Sequence, residues 1–333
     1  MFALAITGPT ASGKTSASIA VAKKIGAEII SCDSMQIYRG MDIGTAKVTK
    51  EEMAGVKHYM LDLVSPLENY SAECYRTDAL ACAEKIIGDG NIPLFVGGTG
   101  LYIDTLVRGI SDKAPESSPE YRARLLAEAE CEGGIDALWN RLDEIDPESA
   151  EKIHKNNVKR VIRALEIYDA TGVPKSVLDR EVRECDSGIE VAMITLDFHD
   201  RENLYARVDR RVDIMMDTGL LEEVRSLYDA GMLPDSSTAS QAIGYKEIVS
   251  YLRGERTLDE AIELLKLSSR RYAKRQLTWF RHVTDAVRIF ADRDDGVMKS
   301  SEELALEVTA AAEKLIYEHK LKSEAKINDS VRA

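Results

Sequence analysis

Phe2 to Thr7 forms a short apolar run that stops at Gly8, and from Lys14 to Ile25 alanine, valine and isoleucine recur at helical spacing before Gly26, a residue suited to a C-cap. That pattern predicts strand, glycine loop, helix. A second β-like run, Glu28 to Cys32, ends at Asp33. A third, Ile92 to Val96, ends at Gly97 to Gly100 and follows a helical stretch over 72–87. The β signal returns only at Glu190 to Leu196. Helical periodicity then covers Arg201 to Tyr228 and Thr257 to His282, and Val287 to Phe290 reads as a last strand. Strands alternating with helices predict an α/β fold on a doubly wound, mostly parallel sheet.

Between about 111 and 188 the character changes. Glu, Arg, Ala and Leu dominate, strand-like runs are scarce, and Pro115, Pro119, Pro147 and Pro174 punctuate the segment. It reads as a helical insertion domain at 111–188, set within a core made of 1–110 and 189–320, with a polar tail at 321–333 expected to be flexible. A length of 333 residues leaves room for this, since single cores stop growing near that size.

Hydrophobic residues at 44% and charged residues at 30% exclude collagen-like, disulfide-scaffold and disordered classes. Against 44 Lys and Arg stand 57 Asp and Glu, a net charge of −13, so any nucleic-acid site must be a local basic patch. The five cysteines, Cys32, Cys74, Cys82, Cys131 and Cys185, form no Cys-x-x-Cys pair, which suggests a reducing cytoplasm and neither a disulfide framework nor a clustered zinc site. The opening apolar run is too short for a signal peptide and no run reaches membrane-spanning length, so a soluble cytoplasmic protein is expected.

Gly8-Pro9-Thr10-Ala11-Ser12-Gly13-Lys14-Thr15 matches the phosphate-loop pattern in full, between a predicted strand and a predicted helix. Its glycines let backbone N–H groups wrap anionic oxygens, Lys14 offers a point charge, and the Thr15 hydroxyl can hold Mg²⁺. The fold class is therefore a P-loop α/β sheet with a helical insertion. The motif alone does not say whether phosphate is cleaved, transferred or displaced.

In an open parallel sheet ligands lie beyond the carboxyl ends of the strands, where the phosphate loop, Asp33-Ser34-Met35-Gln36 and the Gly97 to Gly100 turn should converge. Asp33 is the carboxylate best placed to act as a base; a Mg²⁺ ligand or a helix N-cap is its alternative role. Thr99 can donate to a bridging or leaving oxygen, or simply shape the turn. By composition Tyr38 to Lys47 reads as a polar surface connection.

No acidic residue occurs between Glu263 and Asp285, yet that segment holds Lys266, Arg270, Arg271, Lys274, Arg275 and Arg281, with Trp279 and Phe280 as packing or stacking surfaces. A second acid-free patch, Lys155, Lys159, Arg160 and Arg163, lies in the proposed insertion. Two such patches suit an RNA held across a cleft, although a solvated helix face is the other reading of the first.

Taken in order, Gly8 to Thr15, Asp33-Ser34-Met35-Gln36-Ile37-Tyr38-Arg39 with Asp42 to Lys47, Gly97-Gly98-Thr99-Gly100-Leu101-Tyr102, Arg160 to Glu166, Gln241 to Lys246 and Lys274 to Arg281 resemble the tRNA dimethylallyltransferase family over residues 1 to about 290. The C-terminal cysteine-and-histidine finger of some eukaryotic members has no counterpart, as in the short bacterial form. The resemblance implies transfer of a dimethylallyl group from dimethylallyl diphosphate to the N6 amine of the adenosine 3′-adjacent to the anticodon, in tRNAs reading codons that begin with U. It implies Mg²⁺ as cofactor, the anticodon stem-loop of tRNA as partner, no membrane, and a monomer.

It also implies that Lys14, Thr15 and the loop amides hold the donor's diphosphate, that Asp33 is the base, and that Arg211 contacts the diphosphate. Thr99 and Arg122 match positions near the tRNA. So do Asp33, Ser34, Met35 and Gln36; Lys159, Arg160, Val161, Ile162 and Arg163; Gln241, Ala242, Ile243, Gly244, Tyr245 and Lys246; and Lys274, Arg275, Gln276, Leu277, Thr278, Trp279, Phe280 and Arg281. Three rivals stay open on the residues: a small-molecule or nucleoside kinase sharing the phosphate loop, a nucleotide-gated RNA-binding module, and an adenylate isopentenyltransferase acting on free nucleotide.

Overall fold

The computed structural model describes residues 1–109, 118–184 and 187–332. Ser111 and Pro115, at the expected start of the insertion, and Cys185 lie outside the described residues. Among these residues six strands form one parallel sheet: β1 (Phe2–Thr7), β2 (Ala27–Ser31), β3 (His58–Tyr59), β4 (Ile92–Gly97), β5 (Glu190–Asp197) and β6 (Ala286–Phe290), in the order β3-β2-β4-β1-β5-β6. Strand β1 lies between β4 and β5, with Leu4 opposite Leu94 on one side and Ala192 on the other. Its Ala3, Leu4, Ala5 and Ile6 are fully buried, as expected of a central parallel strand covered on both faces.

The expected helix over 14–25 is present, and Gly26 takes the left-handed conformation at its C-cap (φ 67°). On the same side of the core, Leu304, Val308 and Ala312 of the helix Ser301–Arg332 pack with Ala17 and Val21. That helix continues through the segment read from sequence as a flexible tail. The single helix expected over 201–228 is instead two, Arg201–Asp217 and Leu220–Asp229, because Gly219 adopts φ 105° between them. Tyr38 to Lys47 is no mere surface connection. Ile37, Tyr38 and Met41 are fully buried, and the Lys47 ammonium is held by Tyr38 O at 2.9 Å, Asp42 at 2.6 Å and Asp62 at 2.6 Å.

The chain divides into two compact units, Met1–Ile103 with Ile189–Ala333, and Asp104–Gly188. The second is helical, with helices Pro119–Glu130, Gly134–Ile145, Pro147–Lys152, Val158–Thr171 and Lys175–Glu184. Leu125, Leu138, Leu142, Val161, Ile162 and Leu165 form its core. Buried Asp146 accepts N–H bonds from Ser149 (3.1 Å) and Ser176 (2.9 Å), tying two of its helices together. Among the described residues no helix is long and apolar enough to cross a membrane.

Candidate active site

The parallel sheet delivers three chain segments to one edge. Beyond β1 runs the phosphate loop, beyond β2 the Asp33 turn, and beyond β4 the glycine turn, as a doubly wound sheet requires. The glycines are steric necessities. A Cβ on Gly8 would meet Leu196 O at 2.7 Å, one on Gly97 would meet Cys32 O at 2.2 Å, and one on Gly98 would meet Gln276 Nε2 at 2.2 Å. Trp279 packs its ring over Gly100, where a Cβ would come to 2.5 Å.

Gly13 precedes the helix Lys14–Ile25 with φ 96° and no side-chain cap, so the first amides of that helix remain open to a ligand. The Ser12 hydroxyl is buried and has no hydrogen-bond partner among the described residues, as fits a group waiting for an anionic oxygen. Lys14 Nζ donates to Pro9 O at 2.6 Å. Burial, and then the nearby Arg211, push the Lys14 ammonium down to about 7, against the opposing pull of Asp33. Two arginines from the helix Arg201–Asp217 brace the loop: Arg211 Nη1 donates to Thr10 Oγ1 at 3.3 Å and Arg207 Nε to Ala11 O at 2.7 Å. Burial holds both guanidiniums below their ordinary value.

Asp33 accepts the Met35 N–H at 2.9 Å, a turn contact rather than a helix cap. Burial raises its carboxyl above the usual range, and the Met35 N–H, Lys14 and Arg211 pull the other way. Thr99 accepts the Ser34 N–H at 3.1 Å, and its own N–H bonds Cys32 O at 3.1 Å, so the β2 and β4 turns are stitched together. Lys14, Asp33 and Arg211 line one cavity of about 370 Å³ whose other wall is apolar, made by Val208, Val212, Met215, Ile243 and Leu265. A second cavity of about 440 Å³, bounded by Ser12, Glu52 and Arg207, shares Lys14, Thr15 and Arg211 with the first. A charged head held by the loop and an apolar tail turned toward Asp33 fit this pairing.

No cluster of three or more His, Cys, Asp or Glu suited to a metal occurs among the described residues. The exposed Thr15 side chain borders both cavities. Such a sparse donor set suits Mg²⁺, which keeps most of its waters and binds through substrate phosphates.

The residues expected near RNA range from exposed to fully buried. Exposed are Arg271, Lys274, Arg275 and Thr278, with Arg275 lying 5.6 Å above the Tyr272 ring, and also Lys159, Arg160, Gln241 and Lys246. Lys266 is paired with Asp213 and Arg270 with Asp209, while Arg281 grips buried Asp197 through two nitrogens. Lys155 pairs with Asp136. Arg122 forms a two-pronged pair with buried Glu166 (2.6 and 2.7 Å), and Arg163 lies 3.6 Å from the same carboxylate.

Val161, Ile162, Tyr245, Leu277 and Phe280 are buried because the helical faces that bear them fill cores, and Ala242 and Gly244 are buried in the turn before the helix Tyr245–Leu252. Their side chains cannot meet RNA here. Gln276 is also buried: its Oε1 accepts Thr10 N–H at 2.9 Å and its Nε2 donates to Gly98 O at 2.9 Å. Gln36 spends its amide on Thr45 O and Ala46 O (3.2 and 3.3 Å) and its carbonyl on the Ser31 hydroxyl (3.0 Å). Sequence reasoning missed Arg207, although it precedes Arg211 by one helical turn. Tyr272, beside Asp33 and pushed up to about 12 chiefly by burial, and Glu223 carried no sequence signal.

The family model described as IPP transferase matches residues 36–283, and that described as isopentenyl transferase matches residues 1–69. A tRNA dimethylallyltransferase of Acetivibrio thermocellus is 50% identical over 293 residues, covering 88% of this chain and 92% of that protein. One from Geobacillus thermodenitrificans is 51% identical over 277 residues, covering 83% and 86%. Among solved structures, the full-length tRNA isopentenylpyrophosphate transferase of Bacillus halodurans is 41% identical with a TM-score of 0.68, covering 96% of this chain and 98% of its own. A eukaryotic dimethylallyltransferase acting on tRNA is 30% identical with a TM-score of 0.71, covering 87% and 73%.

Proposed function

This chain belongs to the tRNA dimethylallyltransferase family and transfers a dimethylallyl group from dimethylallyl diphosphate to tRNA, and from that premise we propose that Asp33 is its base and Gly8 to Thr15 its diphosphate cradle. The acceptor is the N6 amine of the adenosine 3′-adjacent to the anticodon, in tRNAs that read codons beginning with U. One observation carries the assignment: Asp33 and Lys14 line the same half-apolar cavity and shift each other's titration.

The exocyclic amine is a poor nucleophile, so Asp33 accepts its proton as the N6–C1 bond forms, a contribution typically of ~10²–10⁴-fold. The allylic C1–O bond breaks with its electron pair moving onto the diphosphate. Lys14, Arg211, the Ser12 hydroxyl and the open amides of the helix N-terminus stabilise that charge, and Arg207 holds the loop in shape. Thr15 would hold Mg²⁺, which would supply further neutralisation of the diphosphate charge. The apolar wall of Val208, Val212 and Met215 takes the hydrocarbon tail and keeps water from the allylic carbon.

Exposed Lys159, Arg160, Lys246, Arg271, Lys274 and Arg275 contact tRNA phosphates, and Thr99 sits close to the flipped adenosine. The active unit is one chain, working in the cytoplasm where its RNA substrate resides. The test is transfer of labelled dimethylallyl to unmodified tRNA with Mg²⁺, with ATP offered as a competing ligand. Label in tRNA that requires the diphosphate donor, reduced about 10²–10⁴-fold in Asp33→Ala, is the expected result. Phosphorylation of a small molecule from ATP, without prenyl transfer, would overturn the reading.

A further inference from the structure

Loop 42–47 lines the cavity that holds Lys14 and Asp33, through Gly44, Thr45 and Ala46. What fixes it is a carboxylate far away in sequence. Glu223, on the helix Leu220–Asp229, accepts the N–H of Asp42 at 3.0 Å and of Ile43 at 2.8 Å on Oε2, and that of Gly44 at 3.1 Å on Oε1. A fourth bond comes from the Tyr245 hydroxyl at 2.6 Å. Three consecutive amides converging on one carboxylate make a backbone nest, a geometry that binds an anion much better than a neutral group.

The nest is coupled to the cavity by short links. A Cβ on Gly44 would lie 2.5 Å from the Tyr245 ring, so the ring packs directly on the loop backbone. The next carbonyls, Thr45 O and Ala46 O, accept both amide protons of Gln36, three residues from Asp33. Ala46 is held at φ 49°, a conformation that L-residues occupy only under constraint. Three separate motif segments, Asp33 to Gln36, Asp42 to Lys47 and Gln241 to Lys246, thus refer to one acid outside all of them.

We propose that Glu223 is a positioning residue for the prenyl transfer: its charge, bound in the 42–44 amide nest, sets the cavity wall against which the acceptor adenosine is placed. This rests on the reading of that cavity given above. Glu223 touches neither the phosphate loop nor Lys14, so the donor's diphosphate should not sense its loss.

Glu223→Gln keeps size but turns an NH₂ group toward backbone N–H donors, and Tyr245→Phe removes a single bond with no change of fold expected. Both are assayed with tRNA and dimethylallyl diphosphate varied separately, and inorganic diphosphate binding is measured directly by calorimetry. For Glu223→Gln the expected result is a loss of about tenfold or more in kcat/KM for tRNA, the scale of one broken charge-assisted hydrogen bond. Diphosphate affinity should stay within about twofold, and Tyr245→Phe should show the same asymmetry more weakly.

An equal fall in tRNA and diphosphate parameters would mean a merely structural role and overturn the proposal, as would unchanged tRNA parameters in both variants. Wild-type enzyme that transfers no label to tRNA would instead overturn the underlying assignment of the cavity, so the two failures are distinguishable.

Discussion

Lys14 has an ammonium pushed down to about 7, so near neutral pH it is only partly charged before substrate arrives. Diphosphate favours the charged lysine. Binding above pH 7 must therefore take up a proton, and apparent donor affinity should fall with rising pH, by up to about tenfold per unit. Calorimetry in buffers of different ionisation enthalpy measures that uptake directly. It should vanish in Lys14→Met. Asp33 acts in its ionised form and its carboxyl lies above the ordinary range, so the rate should drop on acidification at a pH higher than a free aspartate would give. A pH profile of kcat/KM for tRNA checks the position of that limb. Lys14 was legible in the motif itself, whereas its depressed basicity is a consequence of burial beside Arg211 that no motif encodes.

At the scale of elements, the helix Leu258–Arg281 has one face spent on the core and one on solvent, and periodicity explains the split. Phe280 is core. Phe280→Ala should destabilise by about 3–5 kcal/mol in urea unfolding. Gln276 joins this helix to the phosphate loop through Thr10 and Gly98, so Gln276→Leu should weaken diphosphate binding by about tenfold with little loss of tRNA affinity. Equilibrium binding of each ligand would show which partner suffers. The helix itself could be read from its apolar spacing, yet which of its polar residues point to solvent could not. Gly219 offers the converse case: an unbroken hydrophobic rhythm hid a left-handed residue that divides two helices.

For the whole molecule, a net charge of −13 means that RNA is attracted by a few uncompensated cations and repelled elsewhere. Lys266, Arg270 and Arg281 are neutralised by Asp213, Asp209 and Asp197, which leaves Arg271, Lys274 and Arg275 exposed on that helix. Replacing Lys274 and Arg275 by Ala should reduce the salt slope of tRNA binding by about 0.7–0.9 per residue removed. Arg270→Ala should leave the slope nearly unchanged and lower stability instead, because it strands Asp209. Fluorescence titrations across a salt series separate the two. Six apparent cations in sequence thus become three, since two acids on the helix Arg201–Asp217 and one at the end of β5 answer the rest.

Residue identity and spacing alone suffice for the central strands, the phosphate loop with its following helix, and the family resemblance through Asp33, Thr99 and the Lys274 to Arg281 run. These rest on residue identity and short-range periodicity, which act locally. Folding is needed to see that Gln276 completes a loop 266 residues away, that Glu223 anchors the 42–44 backbone, and that Gln36 and Tyr245 are already engaged. The physical reason is that a side chain's hydrogen-bond partner is fixed by which elements the sheet order and helix packing bring together, and that proximity is not written in the spacing of either partner's neighbours.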